Sequence, residues 1–312
     1  MGSGTQPSSD VVQSAHRALH HHGRTFALAS RFLPASSRDD AAVLYALCRL
    51  IDDLADEAPD AQKAHLDLTA LLAYLRAHAG DAPTPNPSED ELDQLLGLPG
   101  TAALVNAWLE VARRRGIPLY PLEALVAGVL TDTGPVQVAD DRELLTYCYR
   151  VAGTVGLLMC GVLDVRDTDS LPLAVELGIA MQLTNICRDV LEDAGRGRVY
   201  LPADRLRAAG TSPEALLRGD AEPRAVSMVV ADLLHLADQR YARGEQGLIY
   251  LPARCRFAIR AAARMYRSIG VRLLHQGANP LNGRTVVPWH GKAVGLADAA
   301  FRTLPVSFEE AA

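Results

Sequence analysis

Aromatic residues make up only 5% of the 312-residue chain, lysine occurs only at Lys63 and Lys292, and no two cysteines show C-x-x-C spacing. The aromatic shortage argues against a β-sandwich or barrel, while Ala, Leu and Val dominate the 49% hydrophobic residues and lean towards helix. Cys48, Cys148, Cys160, Cys187 and Cys255 all sit in apolar stretches. Buried free thiols of a reducing compartment are the expectation, and their spacing suggests no thiolate metal centre. The N-terminus, MGSGTQPSSD, lacks a charged start followed by an apolar stretch, and the uncharged run Val151 to Leu163 is too short to cross a bilayer. A cytoplasmic protein is expected. Peripheral contact with a membrane stays open, because a greasy substrate would make it useful.

No basic cluster exceeds Arg113, Arg114 and Arg115, and the formal charge is −6, so no nucleic-acid partner is expected. Of the 31 basic residues, 29 are Arg. Guanidinium is the better fork for carboxylate or phosphate, although genomic base composition is the plainer explanation.

What the chain has in abundance is helical periodicity. Val43, Leu44, Leu47, Leu50 and Ile51 recur at three and four positions, and no long alternating segment competes. The pattern predicts helices over 10–31, 38–56, 61–79, 100–115, 119–131, 141–165, 169–193, 224–245 and 254–276. Ser36 and Ser37 are candidate caps for the second, Gly116 a stop for the fourth, and Pro202 an interruption after the seventh. The proline-rich stretch Gly80 to Gly100 reads as a long surface loop. No repeat of fixed period is visible. The expected organisation is an N-terminal segment 1–20, partly disordered, one helical domain 21–290 and a C-terminal tail 291–312.

Two segments carry chemistry. In YALCRLIDDLADE, Asp52 and Asp56 lie four apart and project from one helical face, while Asp53 points away. Stacked carboxylates repel, and a divalent cation relieves the repulsion; alone, such a turn is usually a solvated face. In MQLTNICRDVLEDAGRGRVYLP, Asn185, Asp189 and Asp193 form a stripe at i, i+4 and i+8, extended by Gln182. A stripe of this composition is costly to bury without partners. All the donors are hard oxygens, which selects Mg²⁺, or Mn²⁺, over Zn²⁺, and Mg²⁺ commonly shares its shell with phosphate oxygens. Each acidic segment brings an arginine, Arg49 or Arg188, able to reach a diphosphate or simply to pair with its acidic neighbour.

Through YALCRLIDDLADE, YCYRVAGTVGLLM and QLTNICRDVLEDAGRGRVYLP the sequence resembles the squalene and phytoene synthase family, over about His22 to Arg284. The resemblance implies an all-α isoprenoid synthase fold, a single helical domain around a central cavity, and Mg²⁺ dependence. The implied reaction joins two prenyl diphosphates head to head through a cyclopropyl intermediate. Asp52 and Asp56 match the first acidic motif, and Asn185, Asp189 and Asp193 the second, as metal ligands. Arg49, Gln182 and Arg188 match diphosphate or metal-shell positions. HGRTF looks like the family's H-x-x-S-F segment, which places His22 and Thr25 by the diphosphate; a plain histidine run ending a first helix is the alternative.

Tyr147 opens the family's Y-C-x-x-V-A-G motif and is expected to be catalytic, with Tyr149 on substrate, although tyrosines in an Ala-rich helix also serve as core. Gly153 and Gly156 leave room for a prenyl chain or for a close helix contact. Tyr266 and Arg284 match a late Tyr and Arg of the diphosphate site, and GRGRVYLP, with Arg196, Arg198 and Tyr200, looks like a flexible flap. The segment Val129 to Asp140 strays from the family pattern.

The implied product is phytoene, from two geranylgeranyl diphosphates. Squalene formation needs NADPH, and no G-x-G-x-x-G signature is present, so NADPH is not expected. Ser30, one turn after Phe26, leaves a small side chain where a bulky one would shorten the pocket. A C30 synthase making squalene, dehydrosqualene or presqualene diphosphate is the alternative, and a non-catalytic assembly homologue is the alternative of another class. Oligomeric state is not legible.

Overall fold

A break at Gly23 divides what periodicity predicts as one helix into α1 (Ser9–His22) and α2 (Arg24–Ser30). A Cβ on Gly23 would stand 2.7 Å from the ring of Tyr45, so the chain turns where that ring passes. The computed structural model describes residues 8–79 and 88–285. After α2 come α3 (Ala35–Asp56), α4 (Ala61–Ala79), α5 (Glu89–Leu96), α6 (Thr101–Arg115), α7 (Tyr120–Val129), α8 (Asp141–Cys148), α9 (Thr154–Val162) and α10 (Ser170–Gly195). The chain then forms α11 (Ala203–Ala208), α12 (Pro213–Arg218), α13 (Pro223–Gly244) and α14 (Ala253–His275).

The expected all-α class holds, with local departures. Helix α1 packs on α3 and buries Ala15 and Leu19, so residues 9–20 belong to the folded body and are not a loose N-terminal segment. The expected tail 291–312 lies outside the described residues. Helix α5 stands inside the stretch expected to be loop. Ser88 Oγ accepts from the Glu91 amide at 3.2 Å and Glu91 Oε2 from the Ser88 amide at 2.6 Å, a capping box written in the sequence as S-E-D-E. Ser37 does not cap α3; its hydroxyl donates to the Val162 carbonyl. Gly116 does end α6, in the left-handed region at φ 67°.

The segment predicted as one helix over 141–165 is continuous but bulged. Tyr149–Gly153 forms a π-helical turn between α8 and α9. Two two-residue strands, β1 (Val136–Gln137) and β2 (Arg198–Val199), pair in parallel and tie the segment after α10 to the segment before α8.

Two large apolar clusters form most of the core, with two small ones beside them. One large cluster joins α1, α3, α4, α6, α7 and α9 around Trp108, Leu47 and Ile51; the other joins α8, α10, α13 and α14 around Leu183, Leu233 and Tyr241. The stretches Asp141–Val162 and Ser170–Gly195 are long and apolar enough to cross a membrane. Here they lie against each other and against α7, α13 and α14, and α10 carries Gln182, Asn185, Asp189 and Asp193 along its length. The cavity lies at the seam between the clusters.

Candidate active site

A cavity of about 740 Å³ runs between α2, α3, α9, α10 and α14, within the usual range for ligand sites. Helical spacing sets its polar end. Tyr45, Arg49 and Asp52 follow at i, i+4 and i+7 on α3, and Gln182, Asn185 and Arg188 at i, i+3 and i+6 on α10; all six line the cavity. His22, Thr25, Tyr266 and Arg284 complete that end. Beyond them the walls turn apolar, through Phe26, Val155 and Met181 to Leu33, Leu163 and Leu251.

The acids respond to this environment. Burial, reinforced by Asp56, Asp53 and Asp132 and partly offset by Arg49, pushes the Asp52 carboxyl up to about 7. Burial, with Asp189 and Glu192 beside it, does the same to Asp193, against the pull of Arg198 and Arg196. Asp56 is held below the usual carboxylate range despite its burial, because Arg198 Nη1 and Arg196 Nη1 each donate to it at 2.6 Å. The same two guanidiniums therefore act on Asp56 of α3 and Asp193 of α10. The acidic segments converge on one pair of arginines from the loop after α10.

Arginines pair with Asp53, Asp56 and Asp189 of the two acidic segments, whereas Asp52 and Asp193 feel arginine only through the field of Arg49 and of Arg198 and Arg196. Arg49 pairs with Asp53. Arg188 Nε donates to Asp189 at 2.7 Å, and Arg284 Nε approaches the same carboxylate at 2.9 Å. The plain ion pair thus holds for Arg49 and Arg188, and both also line the cavity. Among the described residues, no three His, Cys, Asp or Glu side chains already surround one point. The donor set nonetheless fits a hard cation shared with phosphate: it is all oxygen, and the buried Asn185 Oδ1 has no hydrogen-bond donor among the described residues.

Two of the expected site tyrosines are off the cavity lining. Tyr147 does not line the cavity. Its hydroxyl donates to Asp132 Oδ2 at 2.7 Å and its ring stacks on Tyr200, with centroids 4.7 Å apart. Tyr149 is also off the wall, packed with the core around α10 as the first residue of the π turn. Both side chains pack against the apolar cluster around α10, and Tyr147 is held there by Asp132 and Tyr200.

Sequence reasoning missed two residues. Tyr45 lines the cavity, and burial, together with Tyr266, pushes its phenol up to about 12 against the pull of Arg49; its spacing from Arg49 and Asp52 was the available signal. Asp132 is buried in the segment that departs from the family pattern, and both its oxygens accept phenols, from Tyr147 and from Tyr200 at 2.7 Å each. Burial raises its carboxyl, partly offset by those phenols. Only its long-range partners reveal it.

Residues 19–291 match the family model described as Squalene/phytoene synthase. The chain is 39% identical over 282 residues to a 15-cis-phytoene synthase of Paracoccus sp. (strain N81106), covering 86% of this chain and 84% of that one. It is 38% identical to a phytoene synthase of Thermus thermophilus, covering 86% and 85%. Among solved structures, a dehydrosqualene synthase in complex with ligand superposes with a TM-score of 0.79 at 25% identity, over 94% of this chain and 96% of that one. The squalene synthase HpnC from Alicyclobacillus acidocaldarius, at 24% identity and a TM-score of 0.69 over 87% and 95%, shares the fold.

Proposed function

The chain belongs to the squalene/phytoene synthase family, and from that premise we propose that it is a phytoene synthase. It condenses two geranylgeranyl diphosphates through prephytoene diphosphate to phytoene, releasing two diphosphates. One observation carries the reading: a single cavity joins a polar end of Arg49, Asp52, Asn185, Arg188 and Arg284 to an apolar chamber, as a substrate with an anionic head and a long hydrocarbon tail requires. Relatives at 38% and 39% identity named for this activity support the product.

Asp52, Asp56, Asn185, Asp189 and Asp193 would hold Mg²⁺, which when bound neutralises diphosphate oxygens and makes diphosphate a better leaving group. Arg49, Arg188 and Arg284 line the cavity and exchange their carboxylate partners for phosphate oxygens, so the head group is held by guanidinium forks. The first allylic C–O bond ionises, the second chain's double bond attacks the cation, and loss of a proton closes the cyclopropane. The second diphosphate then leaves, the skeleton rearranges, and another proton is lost to give the triene. Released diphosphate is the base for that proton, and the Tyr45 phenol lines the cavity beside Arg49 and Asp52. Phe26, Val155 and Met181 keep water from the cations. This chemistry takes place in the cytoplasm, a placement supported by five free cysteines.

The test is mass spectrometry of the hydrocarbon made by purified protein from geranylgeranyl diphosphate and Mg²⁺, with and without NADPH. A C40 triene independent of NADPH and abolished by chelator is expected. A C30 product from farnesyl diphosphate alone would establish the alternative that likeness to a dehydrosqualene synthase favours; an Asp189→Ala variant with unaltered function would favour the non-catalytic alternative.

A further inference from the structure

At the apolar end of the cavity, turns contribute to the wall alongside α9 and α14. Leu33 is buried against the cavity, while Phe32, its neighbour in the turn after α2, is 39% exposed. Leu248 is buried against the cavity, while Ile249, next in the short 3₁₀ turn after α13, is 68% exposed. Phe32 meets the ring of Phe257 edge-on at 4.6 Å. Arg256 Nη2 donates to the carbonyls of Ile249 and Leu251, so α14 holds the Ile249 turn beside that aromatic pair.

Phe32 and Ile249 therefore stand outside the two segments whose next residues line the chamber. Isolated exposed apolar residues are ordinary; two on the outer side of the same cavity end, built by different segments, form a patch. Exposed arginines flank it. Arg31 precedes Phe32, and Arg254 lies one helical turn from Phe257; neither has a partner among the described residues. The charges nearest on the 163–170 turn are mixed, with Asp164 paired to Arg166.

We propose that this end of the molecule docks on an anionic lipid bilayer, with Phe32 and Ile249 entering the interface, Arg31 and Arg254 on lipid phosphates, and the turns at 31–34 and 245–251 forming the exit for the hydrocarbon product. Apolar side chains ringed by guanidiniums match a headgroup layer over acyl chains. The chamber and the bilayer are then separated by two turns, and a water-insoluble product need not cross solvent. The exit role rests on the function proposed above; the docking surface does not.

Vesicle co-sedimentation tests it, using full-length protein and phosphatidylcholine vesicles with and without phosphatidylglycerol. Wild type is expected to bind the anionic vesicles. Phe32→Glu/Ile249→Glu is expected to lose at least about tenfold in affinity, and Arg31→Glu/Arg254→Glu to lose the preference for phosphatidylglycerol. Met228→Glu on α13, 62% exposed in wild type, is the control and should bind as wild type does. Circular dichroism checks folding, and activity in detergent should be equal in wild type and Phe32→Glu/Ile249→Glu. Wild-type protein that stays in the supernatant, or Phe32→Glu/Ile249→Glu binding like Met228→Glu, overturns the proposal. So does a patch variant that dissociates a dimer in sedimentation velocity without weakening vesicle binding. Vesicle binding is read without turnover, so an error in the assigned product and an error in the docking surface give separate results.

Discussion

Arg198 Nη1 lies 2.6 Å from Asp56 Oδ1 across 142 positions of sequence, and Arg196 takes the other oxygen of the same carboxylate at 2.6 Å. The loop after α10 is thus fastened to an acid at the C-terminal end of α3. A guanidinium stands where the proposed reaction needs a cation.

From this pair, Arg198→Ala should separate two kinetic quantities. Turnover should fall about a hundredfold, as when one charge-stabilising donor is removed from a preorganised site. The Mg²⁺ concentration for half-maximal activity should stay the same or drop, because Asp56 is freed. Steady-state kinetics with Mg²⁺ titration checks it; a higher Mg²⁺ requirement at unchanged turnover would show that Arg198 helps bind the metal instead.

Asp132 should couple Tyr147 and Tyr200 energetically. Each phenol occupies one carboxylate oxygen, and the two rings stack, so urea denaturation of Tyr147→Phe, Tyr200→Phe and the double variant should give a coupling energy of about 0.5–3 kcal/mol. Asp132→Asn should cost about 1–3 kcal/mol, since an amide cannot accept from both phenols. Additive single variants would show that the rings do not act through the shared carboxylate.

Product length should respond to Ser30. Its side chain is small, its hydroxyl donates to the Ala27 carbonyl at 3.0 Å, and it lines the apolar part of the chamber. Ser30→Phe, incubated with C15 and C20 diphosphates, should shift product towards C30; an unchanged C40 fraction would count against a length-setting role.

Cysteine reactivity should be low and dependent on alkaline pH. Burial raises the thiols of Cys48, Cys148 and Cys187 well above the ordinary 9.0, and pushes Cys160 up to about 11, partly offset by the nearby Ser170 side chain. Iodoacetamide at pH 8 should leave these four unlabelled in native protein and label them in denaturant. Because the folded-state values are raised, the folded state holds these protons more tightly than the unfolded chain. Their contribution to stability is full below pH 9 and is lost as pH rises through 11 and above. Thermal unfolding between pH 8 and 11 should show the decline.

Helix contact at the chamber wall should tolerate no methyl at Gly178. A Cβ there would lie 2.3 Å from the Ala152 carbonyl oxygen, backbone against backbone, whereas one on Gly195 meets nothing within 4 Å. Gly178→Ala should destabilise by about 1–3 kcal/mol or more, with Gly195→Ala within about 0.5 kcal/mol of wild type. Equal unfolding midpoints would remove the close contact from the account.

The helices, the two acidic stripes and the family were legible in the chain itself, because spacing by three and four fixes which side chains share a helical face and QLTNICRDVLED preserves that spacing. Asp52, Asn185 and Arg188 could be assigned to a polar surface on those grounds alone. What such a surface looks onto is set by contacts between distant segments. The break at Gly23 depends on the Tyr45 ring, and Asp132 became meaningful only with Tyr147 and Tyr200 on its two oxygens. The meeting of Arg196 and Arg198 with Asp56 required the whole fold, since local periodicity orients a side chain while only packing supplies its partner.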